Sequence, residues 1–266
     1  GATAPAADGA VLAPNPNLLV QGIPPIPMSL VERVQRYTDF RGHRFVDWHP
    51  RLRQMLVAFR PAGQSVPQLH LLTGPLAPLQ ALTASAEPVT QALFEPLEGR
   101  YLVFERSRGG NEAAQIYRLD LQTRQETLLT HPDERHDMVG WLHDGSRLIV
   151  SSVPLDRTAQ GGTRAQVETT YWLTDPMQPG SRREIARLPG GGWFGGEVSP
   201  DDRRLAVTRY LSAEESEVWL VELADGRRQR LLPAPDASVK ASHYPGAFTP
   251  DGRALWFASN RGGEFL

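Results

Sequence analysis

Residues 246–252, Gly246-Ala247-Phe248-Thr249-Pro250-Asp251-Gly252, contain the clearest copy of a motif that recurs along this 266-residue chain. A second copy reads Gly196-Glu197-Val198-Ser199-Pro200-Asp201-Asp202. Proline presets the backbone φ angle, aspartate hydrogen-bonds to its own backbone, and glycine adopts a positive φ at no steric cost. Each copy therefore predicts a tight turn that joins two antiparallel strands.

The motif occurs five times in phase, and each copy has one apolar anchor before the turn. The successive separations of these anchors are 46, 47, 57 and 50 residues, and the anchors are Trp48, Phe94, Trp141, Val198 and Phe248. A basic residue and a second strand follow each turn, and the first four copies continue with a third and a fourth strand. In Ile116-Tyr117-Arg118-Leu119-Asp120-Leu121 apolar and polar residues alternate, as they do in a half-buried strand.

Four antiparallel strands at a period of about 40–50 residues predict one blade of a β-propeller. A β-sandwich also has short strands and turns, but its strands would not share one turn motif. We therefore expect an all-β partial propeller over residues 44–266, with four complete blades and about half of a fifth. The expected blades lie near 44–83, 89–130, 136–189, 191–233 and 244–266. The fifth copy has only its first two strands, so we expect these residues to belong to a longer protein.

The N-terminal residues do not follow the repeat. Residues 1–28 are rich in alanine and proline and predict an extended segment. Residues 29–43 predict a short helix and a lead-in, with Ser29 as the N-cap and an apolar face of Leu30, Val34 and Tyr37. An Ala/Pro-rich start is typical of the linker that remains after a signal peptide is removed, which favours a periplasmic or secreted protein. A cytoplasmic location stays open.

Composition excludes several classes of function. The 28 basic and 30 acidic residues give a net charge of −2 without a basic stripe, so we expect no nucleic-acid partner. No run approaches the roughly 20 apolar residues of a membrane span. The absence of cysteine rules out disulfides, thiolate catalysis and cysteine zinc sites. We expect no cofactor and no metal, because His131, His136 and His143, the candidate ligands, are predicted in loops or turns.

The repeat resembles the propeller shared by TolB-like proteins and the prolyl oligopeptidase family of serine peptidases. It is most similar to the N-terminal propeller of the bacterial dipeptidyl-peptidase and acylaminoacyl-peptidase-like members. The resemblance covers the chain from about Val31 onward. The matching stretches are Phe45-Val46-Asp47-Trp48, Gln68-Leu69-His70, Gly109-Gly110-Asn111-Glu112, Gln115-Ile116-Tyr117, Leu128-Leu129-Thr130, Gly190-Gly191-Gly192-Trp193, Ser199-Pro200-Asp201-Asp202, Phe248-Thr249-Pro250-Asp251-Gly252 and Glu264-Phe265.

This resemblance implies a two-domain enzyme in which a propeller covers an α/β-hydrolase domain and screens the peptides that reach it. The Ser-Asp-His triad of the family lies in the hydrolase domain. No serine in this chain has glycine at both −2 and +2, so no G-x-S-x-G nucleophile elbow is present. We therefore expect no catalytic residue in these 266 residues, a hydrolase domain of the same polypeptide as the partner, and a peptide as the substrate.

Two Arg-Gly-Gly segments carry a glutamate that could brace its own loop, and they are also the candidate contact sites for substrate or for the other domain. Arg108-Gly109-Gly110-Asn111-Glu112 recurs as Arg261-Gly262-Gly263-Glu264, and both follow a predicted second strand. The candidates are Arg108, Asn111, Glu112, Arg261 and Glu264, together with Trp193, which follows three glycines and is expected to be exposed at the channel mouth. The other strand tryptophans are expected in the core or between blades.

Other interpretations give different functions to the same fold. A non-catalytic TolB-like propeller would bind protein partners in the periplasm through its loops. A sugar-processing or lactonase-like propeller would need carboxylates or metal ligands lining the channel, and the sequence contains no convergent set. Glu214-Glu215 could hold a substrate amine, as a glutamate pair does in dipeptidyl peptidases of the family, but its surroundings do not match and predict a solvated loop.

Overall fold

The computed structural model describes residues 9–39, 41–110, 113–155 and 167–263. The chain divides into two compact units, Gly1–His43 and Arg44–Leu266. All the described strands lie in the second unit. In the part of the chain that the structure describes, no helix is long and apolar enough to cross a membrane.

The first unit contains one described helix, α1 (Met28–Thr38). It begins directly after Pro27, whose backbone is extended, and no side chain caps its first turn. The predicted N-cap role of Ser29 is therefore wrong, because the helix starts earlier and includes Ser29 in its first turn. In the preceding segment, Val11 forms an antiparallel bridge with Pro27.

Four sheets of four antiparallel strands follow one another along the second unit, and each uses consecutive strands in chain order. Blade 1 consists of β1 (Arg44–Trp48), β2 (Met55–Phe59), β3 (Gln68–Leu72) and β4 (Gln80–Ala81). Blade 2 consists of β5 (Ala92–Phe94), β6 (Tyr101–Arg106), β7 (Gln115–Asp120) and β8 (Glu126–Leu128). Blade 3 consists of β9 (Glu134–Trp141), β10 (Leu148–Pro154), β11 (Glu168–Thr174) and β12 (Arg182–Pro189). Blade 4 consists of β13 (Trp193–Val198), β14 (Arg204–Ser212), β15 (Glu215–Glu222) and β16 (Arg228–Leu232).

A fifth sheet contains two strands within the described residues, β17 (His243–Phe248) and β18 (Leu255–Ser259). The first strand of each blade is innermost, since β1 contacts β5, β9 contacts β13, and β13 contacts β17. The innermost strands of a propeller surround its central channel. The predicted all-β propeller with sequential four-stranded blades and one short helix is confirmed.

The recurring motif forms the same turn in blade 4 and in the fifth sheet. Ser199 Oγ donates a hydrogen bond to Asp201 Oδ1, and Thr249 Oγ1 donates one to Asp251 Oδ1, both at 2.6 Å. Gly252 takes the left-handed position with φ 69°. The aspartates of the motif therefore build the turns, as the sequence predicts.

Apolar side chains pack between successive blades. One cluster between blades 1 and 2 includes Phe94 and Phe104, and another between blades 3 and 4 includes Tyr171 and Leu205. The cluster between blades 2 and 3 has the smallest fully buried set, formed by Val103, Ile116, Leu148 and Val150. Six partly buried hydrophobic residues, among them Trp141 and Trp172, pack against this set.

Two tryptophans contradict the expectation that strand tryptophans are packed in the core or between blades. Trp48 is 58% exposed and Trp256 is 72% exposed. They lie on blade 1 and on the fifth sheet. Neither side chain belongs to the apolar clusters that lie between blades 1 and 2, between blades 2 and 3, and between blades 3 and 4. Trp141, Trp172 and Trp219 are half-buried and pack against these clusters as predicted.

Candidate functional site

The two Arg-Gly-Gly segments occupy equivalent places in blade 2 and in the fifth sheet. Arg108-Gly109-Gly110 follows β6, and Arg261-Gly262-Gly263 follows β18, so each comes after a second strand. The two glycines of the first segment have φ angles of 64° and 69°, which glycine adopts without strain. The other predicted contact residues, Asn111, Glu112 and Glu264, lie outside the described residues.

Glu87 braces the first of these loops. Its Oε1 accepts a hydrogen bond from the Gly110 N–H at 2.9 Å. Its backbone carbonyl accepts hydrogen bonds from Ser85 Oγ at 2.6 Å and from Gln68 Nε2 at 2.9 Å. The loop of blade 2 is thereby tied to the connection that leaves blade 1. Sequence reasoning missed Glu87, because a single glutamate in an irregular segment carries no local signal of this contact.

The two arginines of the segments have different surroundings. Arg108 is exposed. The Arg261 guanidinium carbon lies 5.8 Å from the centre of the Phe257 ring, and the Arg261 N–H donates to Ser259 Oγ at 3.1 Å. Arg261 therefore lies against its own sheet. We call the side of the propeller formed by the loops after the second strands the loop face. Two complete blades separate Arg108 and Arg261 in chain order, so the two arginines belong to different parts of this face.

The expected exposure of Trp193 at the channel mouth is wrong. Its side chain is 6% exposed and packs edge-on against Trp219, with ring centres 5.7 Å apart. Its indole N–H donates to the Pro189 carbonyl at 3.0 Å, and the Arg209 guanidinium lies over its ring. Trp193 begins β13, and its large apolar ring is buried in the cluster between blades 3 and 4.

Glu105 is a carboxyl group at the loop end of β6 that sequence reasoning missed. Its Oε1 accepts the backbone N–H of Met138 in blade 3 at 2.6 Å. Burial, with a smaller contribution from the negative charge of Asp137, raises the pKa of Glu105 to about 7 against the opposing effect of the Met138 hydrogen bond. Glu105 therefore titrates near neutral pH. Groups whose pKa values are shifted in this way are common in functional clefts. The only sequence signal is a carboxylate directly after a buried apolar run.

The innermost strands carry further charged groups. Asp137 and Arg135 are exposed on β9, with Asp137 Oδ2 4.0 Å from Arg135 Nε. Burial raises the pKa of Glu197 on β13, while the nearby His143 opposes the shift. Carboxylate oxygens such as those of Asp137 can accept hydrogen bonds from the amine or amide groups of a ligand.

The candidate histidine ligands lie in three different settings. His131 lies in the connection between blades 2 and 3, and His143 lies in a turn. His136 contradicts the loop prediction, because it is 1% exposed within β9, and burial lowers its pKa to about 4. Across residues 9–39, 41–110, 113–155 and 167–263, no group of three or more His, Cys, Asp or Glu side chains could hold a metal ion.

The two members of the Glu214-Glu215 pair also have separate environments. Glu214 is exposed in the turn before β15, whereas Glu215 is the first residue of that strand. Glu215 Oε2 lies 3.0 Å from Lys240 Nζ, which neutralises its charge. The loop prediction is thus correct for Glu214 and wrong for Glu215.

Comparison with known proteins supports the fold. No family model matches the chain, and no curated protein matches it. TolB from Acinetobacter baumannii is similar, with 20% identity and a TM-score of 0.52 over 82% of this chain and 51% of that chain. An oligogalacturonate lyase from Vibrio parahaemolyticus has 17% identity and a TM-score of 0.62 over 85% of this chain and 62% of that chain. Prolyl oligopeptidase B from Galerina marginata, bound to a 25mer macrocyclization substrate, has 12% identity and a TM-score of 0.63 over 88% of this chain and 36% of that chain.

These identities establish a shared fold and no more. The chain spans between 36% and 62% of the length of these three structures. Its fold is a β-propeller of the kind found in TolB and in prolyl oligopeptidases.

Proposed function

We propose that these residues form the substrate-gating N-terminal propeller of a serine peptidase of the prolyl oligopeptidase family. A C-terminal α/β-hydrolase domain of the same polypeptide carries out peptide hydrolysis. The observation that carries the proposal is the ordered set of repeat sequences, in which a short helix precedes blades whose loops resemble those of the peptidase propellers. The chemistry of the whole protein is acyl transfer through a serine nucleophile.

In this proposal the propeller selects peptides and takes no part in bond cleavage. The missing G-x-S-x-G elbow supports this division, since the 266 residues supply no such nucleophile. The loop face, with Arg108 and Arg261, is directed toward the catalytic domain or the substrate. Polar groups near the innermost strands, such as Glu105 and Asp137, contact the peptide on its way to the active site.

A TolB-like periplasmic propeller that binds protein partners is the second candidate. Its support is the propeller fold that this chain shares with TolB from Acinetobacter baumannii, which is a fold-level analogy. In this case the same loop face binds a partner protein. A sugar-processing role has weaker support, because the described residues contain no cluster of His, Asp or Glu side chains that could hold a metal ion.

A fluorophosphonate probe for active serines separates the two candidates. An antibody raised against this chain captures the native gene product after labelling, and mass spectrometry gives the mass of the captured species. The peptidase proposal predicts a labelled protein far heavier than 29.4 kDa, and heat-denatured extract provides the unlabelled control. An unlabelled product near 29.4 kDa would contradict the peptidase and leave the partner-binding propeller.

Arg108→Ala in the full-length enzyme, without the probe, tests the gating role directly. We expect the ratio of kcat/KM values for a long and a short peptide to change, because the loop face meets only the longer substrate. Arg53→Ala is the matched control, since this exposed arginine lies in the turn between β1 and β2 at the opposite end of the strands. Equal effects of the two substitutions would count against gating by the loop face.

A further inference from the structure

The outermost strands of the four complete blades differ in how their free edges are covered. β4 and β8 have only 2 and 3 residues, so they offer few unpaired backbone groups. β12 has 8 residues, but the turn of blade 4 lies against its middle, because a Cβ at Gly226 would collide with the Ile185 carbonyl oxygen. β16 has 5 residues, and its sheet neighbour is β15.

The outer edge of β16 is open. In the part of the chain that the structure describes, no backbone hydrogen bond joins residues 228–232 to any segment other than β15. The side chains of Arg228, Gln229 and Arg230 are exposed. The N–H and C=O groups that point away from β15 are thus free to pair with an added strand. At about 3.4 Å per residue the edge is roughly 17 Å long, which suits a peptide of about five residues.

Arginine is concentrated along this edge. Residues 226–230 read Gly-Arg-Arg-Gln-Arg. Arg227 Nε lies 2.7 Å from Asp225 Oδ2, so this charge is paired within the turn. Arg228 has no ion pair with any of the residues that the structure describes, and its exposed guanidinium is available to a ligand.

The third arginine of the edge shares its carboxylate with a neighbour. Arg230 Nη1 lies 3.2 Å from Glu217 Oε1, and Arg209 Nη1 lies 3.7 Å from Glu217 Oε2. One negative charge therefore faces two guanidinium groups. The edge of blade 4 keeps a positive charge, although the whole chain has a net charge of −2.

The sheet register places two of these arginines on the same face of the blade. Arg228 pairs with Val221 of β15, and Arg230 pairs with Trp219. Val221 and Trp219 are two positions apart on their strand, so the side chains of their partners project to one side. Glu222 alternates with Val221 and projects to the other side. In an added strand, acidic residues at positions i and i+2 therefore lie opposite the two arginines.

We propose that the outer edge of β16 binds an acidic protein segment in an extended conformation, as a fifth strand of blade 4. The backbone of the segment pairs with the free N–H and C=O groups of β16. Two acidic side chains, separated by one residue, lie opposite Arg228 and Arg230. Backbone pairing supplies affinity, and the charge pairs supply the preference for an acidic sequence. The inference needs no catalytic domain and stands apart from the proposed peptidase function.

Isothermal titration calorimetry on this chain tests the site with N-acetyl-Val-Glu-Val-Glu-Val-amide as the probe. We expect one binding event per chain, and weaker binding as salt rises from about 20 mM to about 500 mM, because exposed charge pairs are screened. The lysine analogue N-acetyl-Val-Lys-Val-Lys-Val-amide should not bind, because its charges oppose the arginines. A glutamate probe that is N-methylated at every residue keeps both charges and loses its backbone donors, so it should not bind either.

Arg228→Gln tests the charge pairs. We expect this substitution to weaken binding by about twofold to fivefold, the value of one exposed charge pair. Folding should not change, since the Arg228 side chain is exposed and forms no ion pair with the described residues. Arg53→Gln, at an exposed arginine in the turn between β1 and β2, is the matched control and should leave binding unchanged.

Amide hydrogen exchange followed by NMR locates the bound peptide without any substitution. The amides of β16 that do not bond to β15 should exchange more slowly when the glutamate probe is present. Four results would each overturn the proposal: no binding at millimolar probe by a chain shown to be folded, equal binding of the N-methylated or the lysine probe, equal effects of Arg228→Gln and Arg53→Gln, or slower exchange at the edge of another blade in place of β16.

Discussion

Glu105→Gln should stabilise the propeller above pH 7 and change its stability little below pH 4.5. Burial raises the pKa of Glu105 from an ordinary value of 4.5 to about 7 in the folded protein. Between these two pH values the unfolded chain has released the proton and the folded chain retains it, so stability falls as pH rises. The destabilisation is absent below pH 4.5 and complete above pH 7.

The expected magnitude follows from the two pKa values. The difference between 4.5 and about 7 corresponds to about 3 kcal/mol, since one pKa unit equals about 1.4 kcal/mol. For a domain of this size that is roughly 6–12 °C in Tm. Glutamine retains an oxygen that can accept the Met138 N–H, so the substitution removes the charge and keeps this hydrogen bond, which is 2.6 Å long with glutamate.

Urea denaturation near pH 4 and near pH 8, followed by tryptophan fluorescence, measures this effect. The difference in free energy of unfolding between Glu105→Gln and wild type should grow by about 3 kcal/mol from the lower to the higher pH. Glu214→Gln, an exposed substitution of the same chemistry, controls for the loss of one negative charge. If the difference for Glu105→Gln is the same at both pH values, burial does not hold the proton on Glu105.

Three further substitutions test the turns, the contacts between blades and the buried histidine. Gly192→Ala should lower the Tm by more than Gly63→Ala, because φ is positive at both sites but only the Cβ at 192 would collide with the Tyr210 carbonyl oxygen; equal losses in thermal unfolding would contradict this. Asp202→Ala should lower the free energy of unfolding by about 1–3 kcal/mol in urea titrations. The Asp202 carboxylate accepts hydrogen bonds from two backbone N–H groups of blade 3 at 2.7 and 3.0 Å. A change below about 0.5 kcal/mol would show that water replaces the carboxylate as their acceptor. His136→Gln should make the free energy of unfolding vary less between pH 6.5 and pH 4. Burial lowers the pKa of His136 in the folded protein to about 4, so wild-type stability is lost as pH falls through that interval. Urea titrations that give parallel pH profiles for the two chains would oppose this reasoning.

The order of strands and the position of most turns could be predicted from the sequence, because both depend on neighbouring residues. The hydroxyl, aspartate and glycine of a turn such as 249–252 contact each other within a few positions. Alternation along a strand such as Gln115–Asp120 likewise needs only a period of two residues. Five copies of these local signals in phase are sufficient to specify sequential blades.

Burial at individual positions was less predictable, as the tryptophans show. Trp193 follows three glycines in the chain and is nonetheless buried, whereas Trp48 lies on a strand and is exposed. Whether each of these side chains is buried depends on the contacts that it makes with a neighbouring blade. A repeat pattern within one blade carries no information on those contacts.

The sequence by itself determined the propeller, the order of its blades and the lack of a nucleophile elbow, because these properties follow from local turn chemistry, strand periodicity and motif spacing. Only the tertiary structure decided which polar groups have unusual environments. Glu105 meets Met138, and Glu87 meets Gly110, across separations of 33 and 23 residues. His136 loses its positive charge because the packed sheet removes it from water. Desolvation and hydrogen bonding of this kind arise only when distant segments pack together, so no local pattern in the chain reveals them.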